Sequence, residues 1–185
     1  MKLLKDILLI AIATAGVTLL LKWSSESFGF RSPFFAFLAN FLIMAWIALL
    51  GQVWVFTYPP RYFAIKPFEK DGRLYEKLGV VFIKKLLRRG PFSIFSPTLH
   101  FSGDADALPK LENEMRNAEA GHLTIFLVML LFAGMAMVRG WFDAAGWLLL
   151  FSIILNIYPM MLQRYNRIRI NRILARNKST KKFKR

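Results

Sequence analysis

The stretch Phe34–Phe56, FFAFLANFLIMAWIALLGQVWVF, decides the fold. Its 23 residues carry no charge. As a helix rising 1.5 Å per residue they would reach about 34 Å, enough to cross the hydrocarbon core of a bilayer. Trp46 and Trp54 lie within the stretch, Tyr58 lies just beyond it, and Pro59-Pro60 closes it, as expected where a span meets an interface. On the N-terminal side, residues 7–21 form a second apolar run, preceded by Lys2 and Lys5 and followed by Lys22. A secretory signal peptide has the same basic start and apolar middle. Here, however, Lys22-Trp23-Ser24-Ser25-Glu26 stands where a small-residue cleavage site belongs, so the run is expected to be a retained transmembrane helix. On the C-terminal side, residues 122–138 and 144–162 give two further spans, joined by the tight connection Arg139–Asp143.

Composition agrees. The chain has 185 residues, of which 56% are hydrophobic, and Lys+Arg 26 outweigh Asp+Glu 11 for a formal charge of +15. A nucleic-acid binder can be this basic but does not need such apolar runs, so the charge is read as facing anionic headgroups. Cysteine is absent, which excludes a disulfide framework, a thiol nucleophile and cysteine-based metal sites. With only His100 and His122 as histidines, no metal centre is expected.

The basic residues are distributed unevenly. The loop of residues 61–121 holds 11, the tail of residues 164–185 holds 10 and the N-terminus 2, whereas the two remaining connections share only Lys22, Arg31 and Arg139. Four crossings put the three basic segments on one side, the cytosol by the positive-inside rule. The expectation is therefore an all-α integral membrane protein, one membrane domain over 1–185, with four transmembrane helices and both termini cytosolic. In the central loop, Arg73–Arg89 is predicted to form an amphipathic helix, with Leu74, Leu78, Val81, Phe82 and Leu86 at helical spacing among lysines and arginines. Such a helix either lies in the interface or packs on the domain itself. Pro109 is expected to open the helix leading into the third span.

The hairpin of the last two spans has a chemical consequence. Both are roughly 25–30 Å long, so Glu119 and His122, entering the membrane, reach about the same depth as Gln163–Arg169, leaving it. Glu119 and His122 share one helix face; the pair is either an ordinary helix start with an interfacial histidine, or a general base with its orienting carboxylate. Gln163-Arg164-Tyr165-Asn166-Arg167 is either a basic membrane-exit cap or one wall of a site, and Asn156 lies two turns deeper, where a polar group suggests function. A single Glu-x-x-His is only half of a di-metal helix-bundle site. Glu112 and Arg116 are spaced for an i,i+4 pair. The sequence contains no glycine-rich phosphate loop and no serine elbow.

Three blocks carry a family resemblance. Lys66-Pro67-Phe68-Glu69-Lys70-Asp71-Gly72-Arg73-Leu74-Tyr75-Glu76-Lys77-Leu78-Gly79 is the first. Glu114-x-Arg116-x-Ala118-Glu119-x-x-His122 and Asn156-x-x-Pro159-x-x-x-Gln163-Arg164-Tyr165-Asn166-Arg167-x-Arg169 follow in order. Together they resemble the glycosyl-4,4'-diaponeurosporenoate acyltransferases, small integral-membrane enzymes of bacterial carotenoid biosynthesis. His100 sits close to a histidine of that family. Met115, Asn117, Leu123 and Ile168 depart from its pattern. The resemblance implies a multi-pass plasma-membrane enzyme that moves a fatty acyl group onto a hydroxyl of a membrane-embedded glycolipid. An acyl-CoA or similar donor would serve as co-substrate, with no bound cofactor. In that reading His122 takes the acceptor proton and Glu119 orients it, and Arg164 and Arg167 hold donor phosphates or the oxyanion. Asn166 or Gln163 adds a hydrogen bond, and Tyr165, Asn156, Glu114, Arg116 and His100 line the substrate. Expected partners are the lipid substrate, anionic headgroups and other membrane subunits, and no nucleic acid. Another small membrane transferase, for example a lipid methyltransferase using a soluble cofactor, and a non-catalytic membrane subunit anchoring a complex are the rival classes.

Overall fold

The computed structural model describes residues 2–54, 56–89 and 107–183, without the side chains of 87–89 and 176–183. Among the described residues all regular structure is helical and there is no strand. The helices are α1 (Lys2–Phe28), α2 (Pro33–Leu50), α3 (Pro60–Phe63), α4 (Arg73–Lys77), α5 (Val80–Arg89), α6 (Leu108–Val138), α7 (Phe142–Ser152) and α8 (Tyr158–Phe183). A 3-10 turn covers Pro67–Glu69, and a π-helical turn, Ile153–Ile157, links α7 to α8. Four stretches are long and apolar enough to cross a membrane: Lys2–Phe28, Pro33–Leu50, Leu108–Val138 and Phe142–Ala175. The chain divides into two compact units, one of residues 1–57 and 120–157, the other of residues 58–119 and 158–185.

The first unit is the apolar one. Its core sets Phe35, Ile43, Ile47, Ile125, Met129 and Leu148 among Ala36, Ala39, Ala133, Ala136, Ala144 and Ala145. Without water to drive association inside a bilayer, small side chains allow the close backbone approach on which helix packing depends. Helix α1 buries only Ala13 and Ser24 and exposes Leu3, Leu4, Ile7, Leu8, Ile12, Leu19 and Leu20. Such a surface is stable against lipid rather than water. Ser32 caps α2, its Oγ accepting from the Phe35 N–H at 3.0 Å, with Pro33 in the first turn. The α2 span ends at Leu50, short of the expected Phe56, because the N–H groups of Gly51 through Trp54 fold back onto the carbonyls of Ile47, Leu49 and Leu50. Arg31, in the turn after α1, is tied to Asp143 in the first turn of α7, guanidinium and carboxylate 2.9 Å apart.

Pro159 sits just beyond the π turn. Its ring lacks an N–H and clashes with the carbonyl four residues earlier, and a turn widened to i+5 spacing absorbs that. Asn156 lies inside the widened turn and is buried.

The second unit carries the polar elements. The continuous amphipathic helix expected over Arg73–Arg89 is two helices. Gly79, at φ +77°, breaks it between α4 and α5, a left-handed conformation that glycine adopts freely. Val80, Tyr75, Leu162 and Ile168 form one small core, and Leu108, Met115 and Ile170 a second.

Gly72 combines two constraints in this unit. Its φ is +70°, and a β-carbon there would stand 3.1 Å from Tyr165 Cε2. A side chain in the left-handed region costs about 1–2 kcal/mol, so Gly72→Ala is expected to lower the melting temperature of the detergent-solubilised protein by roughly 2–8 °C. Gly16→Ala, in the interior of α1 with nothing near the added carbon, leaves it unchanged or raised.

Candidate functional site

The polar unit is built around buried charges. Glu119, on α6, and Arg167, on α8, are both almost wholly excluded from solvent and pair at 2.7 Å. The other Glu119 oxygen lies 3.3 Å from Arg164 Nη1, and Arg164 Nε lies 3.4 Å from Glu69. Glu69 is fixed from two further directions: the Lys66 N–H donates to its Oε2 and the Tyr75 hydroxyl to its Oε1, each at 2.7 Å. Two arginines and two carboxylates thus balance within one network, as burial of charge requires. Glu112 extends it, pairing with Arg116 at 2.7 Å and approaching Arg167 at 3.9 Å. Burial, with the Glu119 charge adding to it, pushes the Tyr62 phenol up; burial and the bond to Glu69 do the same for Tyr75.

The arginines also hold backbone. Arg164 Nη2 donates to the carbonyls of Tyr62 and Ala64, and Arg167 Nη2 donates to that of Phe63. These three consecutive carbonyls close the four-residue helix α3, whose C-terminal acceptors have no helical partner. Further along α8, Arg172 donates to the Lys70 carbonyl. A row of arginines on one helix therefore fastens the segment 62–70 to it.

Other residues of the 163–169 block keep free groups. Asn166 is buried; its Oδ1 accepts from Lys84 Nζ at 2.8 Å, while its Nδ2 has no hydrogen-bond partner among the described residues. Gln163 is buried with its Oε1 likewise unpaired. Tyr165 donates to Glu76 at 3.0 Å. A cavity of about 900 Å³ opens in this unit, lined by Lys70, Asp71, Arg73, Glu76, Asn171 and Arg172 among others.

The apolar unit contains a separate polar cluster. His122 Nδ1 lies 3.5 Å from Asn156 Oδ1, and Asn156 Nδ2 donates to Asn40 Oδ1 at 3.0 Å and to Ser152 Oγ at 3.2 Å. Asn40 Nδ2 donates in turn to the Ala36 carbonyl at 2.9 Å. No charged side chain takes part.

A protein-family model matches residues 59–176, that of glycosyl-4,4'-diaponeurosporenoate acyltransferase. The match covers more than half of the sequence and takes in every block quoted above. The chain belongs to this acyltransferase family. Comparison with curated proteins and with solved structures finds no match.

The candidate residues of this family member separate into the two clusters. Glu119, Arg164 and Arg167 meet in the charged network, with Arg116 joined to it through Glu112. His122 and Asn156 meet in the amide cluster. The partner of the His122 ring is Asn156, and the Glu119 carboxylate is engaged by arginines instead. Glu114 is exposed on α6, and His100 falls outside the described residues. Glu69, Tyr62, Asn40 and Ser152 are the additions. Glu69 stands in the first motif block, whereas nothing in the sequence marks Asn40 or Ser152 beyond being polar in an apolar run. The described residues contain no group of three or more histidine and acidic side chains able to hold a metal ion.

Breaking a buried ion pair from one side strands the remaining charge. Glu119→Ala is expected to cost about 3–5 kcal/mol, and the double variant Glu119→Leu with Arg167→Met markedly less than the sum of its parts, in a double-mutant cycle read by thermal unfolding in detergent. Additive losses would show that the pair is not coupled.

Proposed function

We propose that this protein transfers a fatty acyl group from an acyl-CoA or similar thioester to a hydroxyl of a membrane-embedded glycolipid, such as a glycosylated carotenoid. The family match over residues 59–176 carries the reading; it spans the histidine, the arginine block and the motif containing Glu69. In this reading the chain is a multi-pass protein of the plasma membrane with its basic segments on the cytosolic face, as the distribution of lysine and arginine supports. Phe82 and Leu86, one turn apart on α5, are 68% and 58% exposed, which supports an interfacial position for that helix.

His122 acts as the general base. The acceptor hydroxyl gives it a proton as the oxygen bonds to the thioester carbonyl carbon; the carbon–sulfur bond then breaks, and the imidazolium returns the proton to the departing thiolate. Within the polar unit, Gln163 Oε1 and Asn166 Nδ2 are an acceptor and a donor open to a polar ligand group, a use that accounts for buried groups left unpaired among the described residues. The donor phosphates are met by Lys70, Arg73 and Arg172 around the polar unit's cavity. Arg164 and Arg167, committed to carboxylates and carbonyls, hold the protein scaffold instead, and Glu119 is a positioning residue acting through them.

Lipid mass spectrometry on reconstituted protein tests this reading. His122→Ala is expected to lower acylated product by at least about 100-fold, and acylation at the wild-type rate would remove the base assignment. A product heavier by one methyl group would replace acyl transfer with methyl transfer. Arg73→Glu is expected to raise KM for the thioester several-fold while kcat changes little; an unchanged KM moves the donor phosphates elsewhere.

A further inference from the structure

The amide cluster of the apolar unit starts at a group whose role is fixed. A backbone carbonyl only accepts hydrogen bonds, so the 2.9 Å contact with the Ala36 oxygen assigns that end of the Asn40 side chain as its NH₂. The other end, Oδ1, faces Asn156 at 3.0 Å. An amide oxygen also only accepts, so Asn156 must present its own NH₂ there, and that NH₂ reaches Ser152 Oγ as well. With its nitrogen committed, Asn156 turns its oxygen towards His122 Nδ1. For that contact to be a hydrogen bond, the proton must sit on Nδ1.

We propose that Asn40 is a positioning residue: through Asn156 it holds His122 in the Nδ1-protonated tautomer, leaving Nε2 as the proton acceptor. Each link is out of reach of solvent, with Asn40 2%, Asn156 1% and Ser152 0% exposed. Flipping either amide would set oxygen against oxygen or NH₂ against NH₂ where no water can compensate, a penalty that is large in a low-dielectric interior. The hydrogen bond made by one ring nitrogen decides the state of the other. Asn40 lies on α2, outside residues 59–176 of the family match. The inference deepens the acyl-transfer reading and rests on it for the use of Nε2, but the tautomer itself does not depend on that reading.

The test is the ring ¹⁵N spectrum of the histidine-labelled full-length protein in lipid nanodiscs, recorded at a pH where the imidazole is neutral. The sequence has two histidines, so the pair of ring signals lost in His122→Gln belongs to His122. The wild type is expected to show a protonated Nδ1 and an unprotonated Nε2. Asn40→Leu, which frees the Asn156 amide to turn, shifts the signals towards the Nε2-protonated form. Asn40→Asp in its neutral acid form gives its O–H to the Ala36 carbonyl, keeps an oxygen facing Asn156 and retains the wild-type pattern. In the acylation assay Asn40→Leu lowers kcat by about 10–100-fold, the range seen when the partner that orients a functional histidine is removed, with KM near the wild-type value. Should Asn40→Leu fail to fold, Asn40→Ser, which withdraws the amide, takes its place. A wild-type His122 protonated on Nε2, or a tautomer indifferent to loss of the Asn40 amide, overturns the proposal. If the tautomer is as stated but His122→Ala still acylates, the assignment of the base fails and the amide chain stands. If acylation needs His122 but Nε2 carries the proton, the reverse holds.

Discussion

Everything in the polar unit depends on the burial of Arg167 against Glu119. Removing two charges from water costs more than their attraction returns unless further hydrogen bonds satisfy the remaining donors and acceptors. Here that condition selects the surroundings. Arg167 gives Nη1 to the carboxylate and Nη2 to the Phe63 carbonyl, and Arg164 shares itself among Glu119, Glu69, Tyr62 and Ala64. Arginine suits this work better than lysine, because its planar fork can bind several acceptors at once. Glu69 in turn must be buried to reach Arg164, which explains why it is held by Tyr75 and by the backbone of Lys66. The short helix α3 needs no side-chain cap of its own at its C-terminus, since the two arginines supply the donors.

The apolar unit solves a related problem without charge. A carboxylate beside His122, at the buried position of Asn156, would be a buried charge without a counter-ion, and such a charge is expensive. An asparagine can direct the ring equally well while remaining neutral, provided both ends of its amide are matched. Asn40, Ser152 and the Ala36 carbonyl provide the match. The π turn contributes as well. Widening the helix before Pro159 changes the rotational position of Asn156 relative to a regular α-helix, and such turns recur where a functional side chain must be aimed.

The two clusters explain what could be read from the sequence. The four apolar helices were legible because hydrocarbon imposes length and composition on any segment that crosses it. The start of α6 near Pro109, the Glu112–Arg116 pair and the connection before α7 were legible through local rules of proline, charge spacing and turn formation. The break at Gly79 was not separated from the amphipathic pattern running across it, because periodicity continues through a single left-handed residue. The end of α2 was overrun for a similar reason: Gly51 to Phe56 is apolar enough for a span, but its N–H groups turn back on the preceding carbonyls.

For the candidate residues, spacing was legible and pairing was not. Glu119 and His122 share a helix face, and spacing alone joins them; yet the structure gives the carboxylate to two arginines and the ring to an amide. A sequence states that a charge is present, but its partner is chosen by whichever opposite charge can be buried with it, and for Glu119 that partner comes from some fifty residues away. Asn40 was harder still. One asparagine in a 23-residue uncharged run has no local signature, and its meaning comes from meeting a second asparagine 116 residues later in the chain. The arginines of residues 164–172 show the opposite case. Their number suggests an anchor or an anion site, whereas their geometry makes them chiefly the fastening of the segment that precedes α4. Lys70 and Arg73 line the polar unit's cavity, Lys70 at the end of the segment those arginines fasten and Arg73 in the first turn of α4. A scaffold that neutralises its buried charges internally leaves its surface cations available to a substrate.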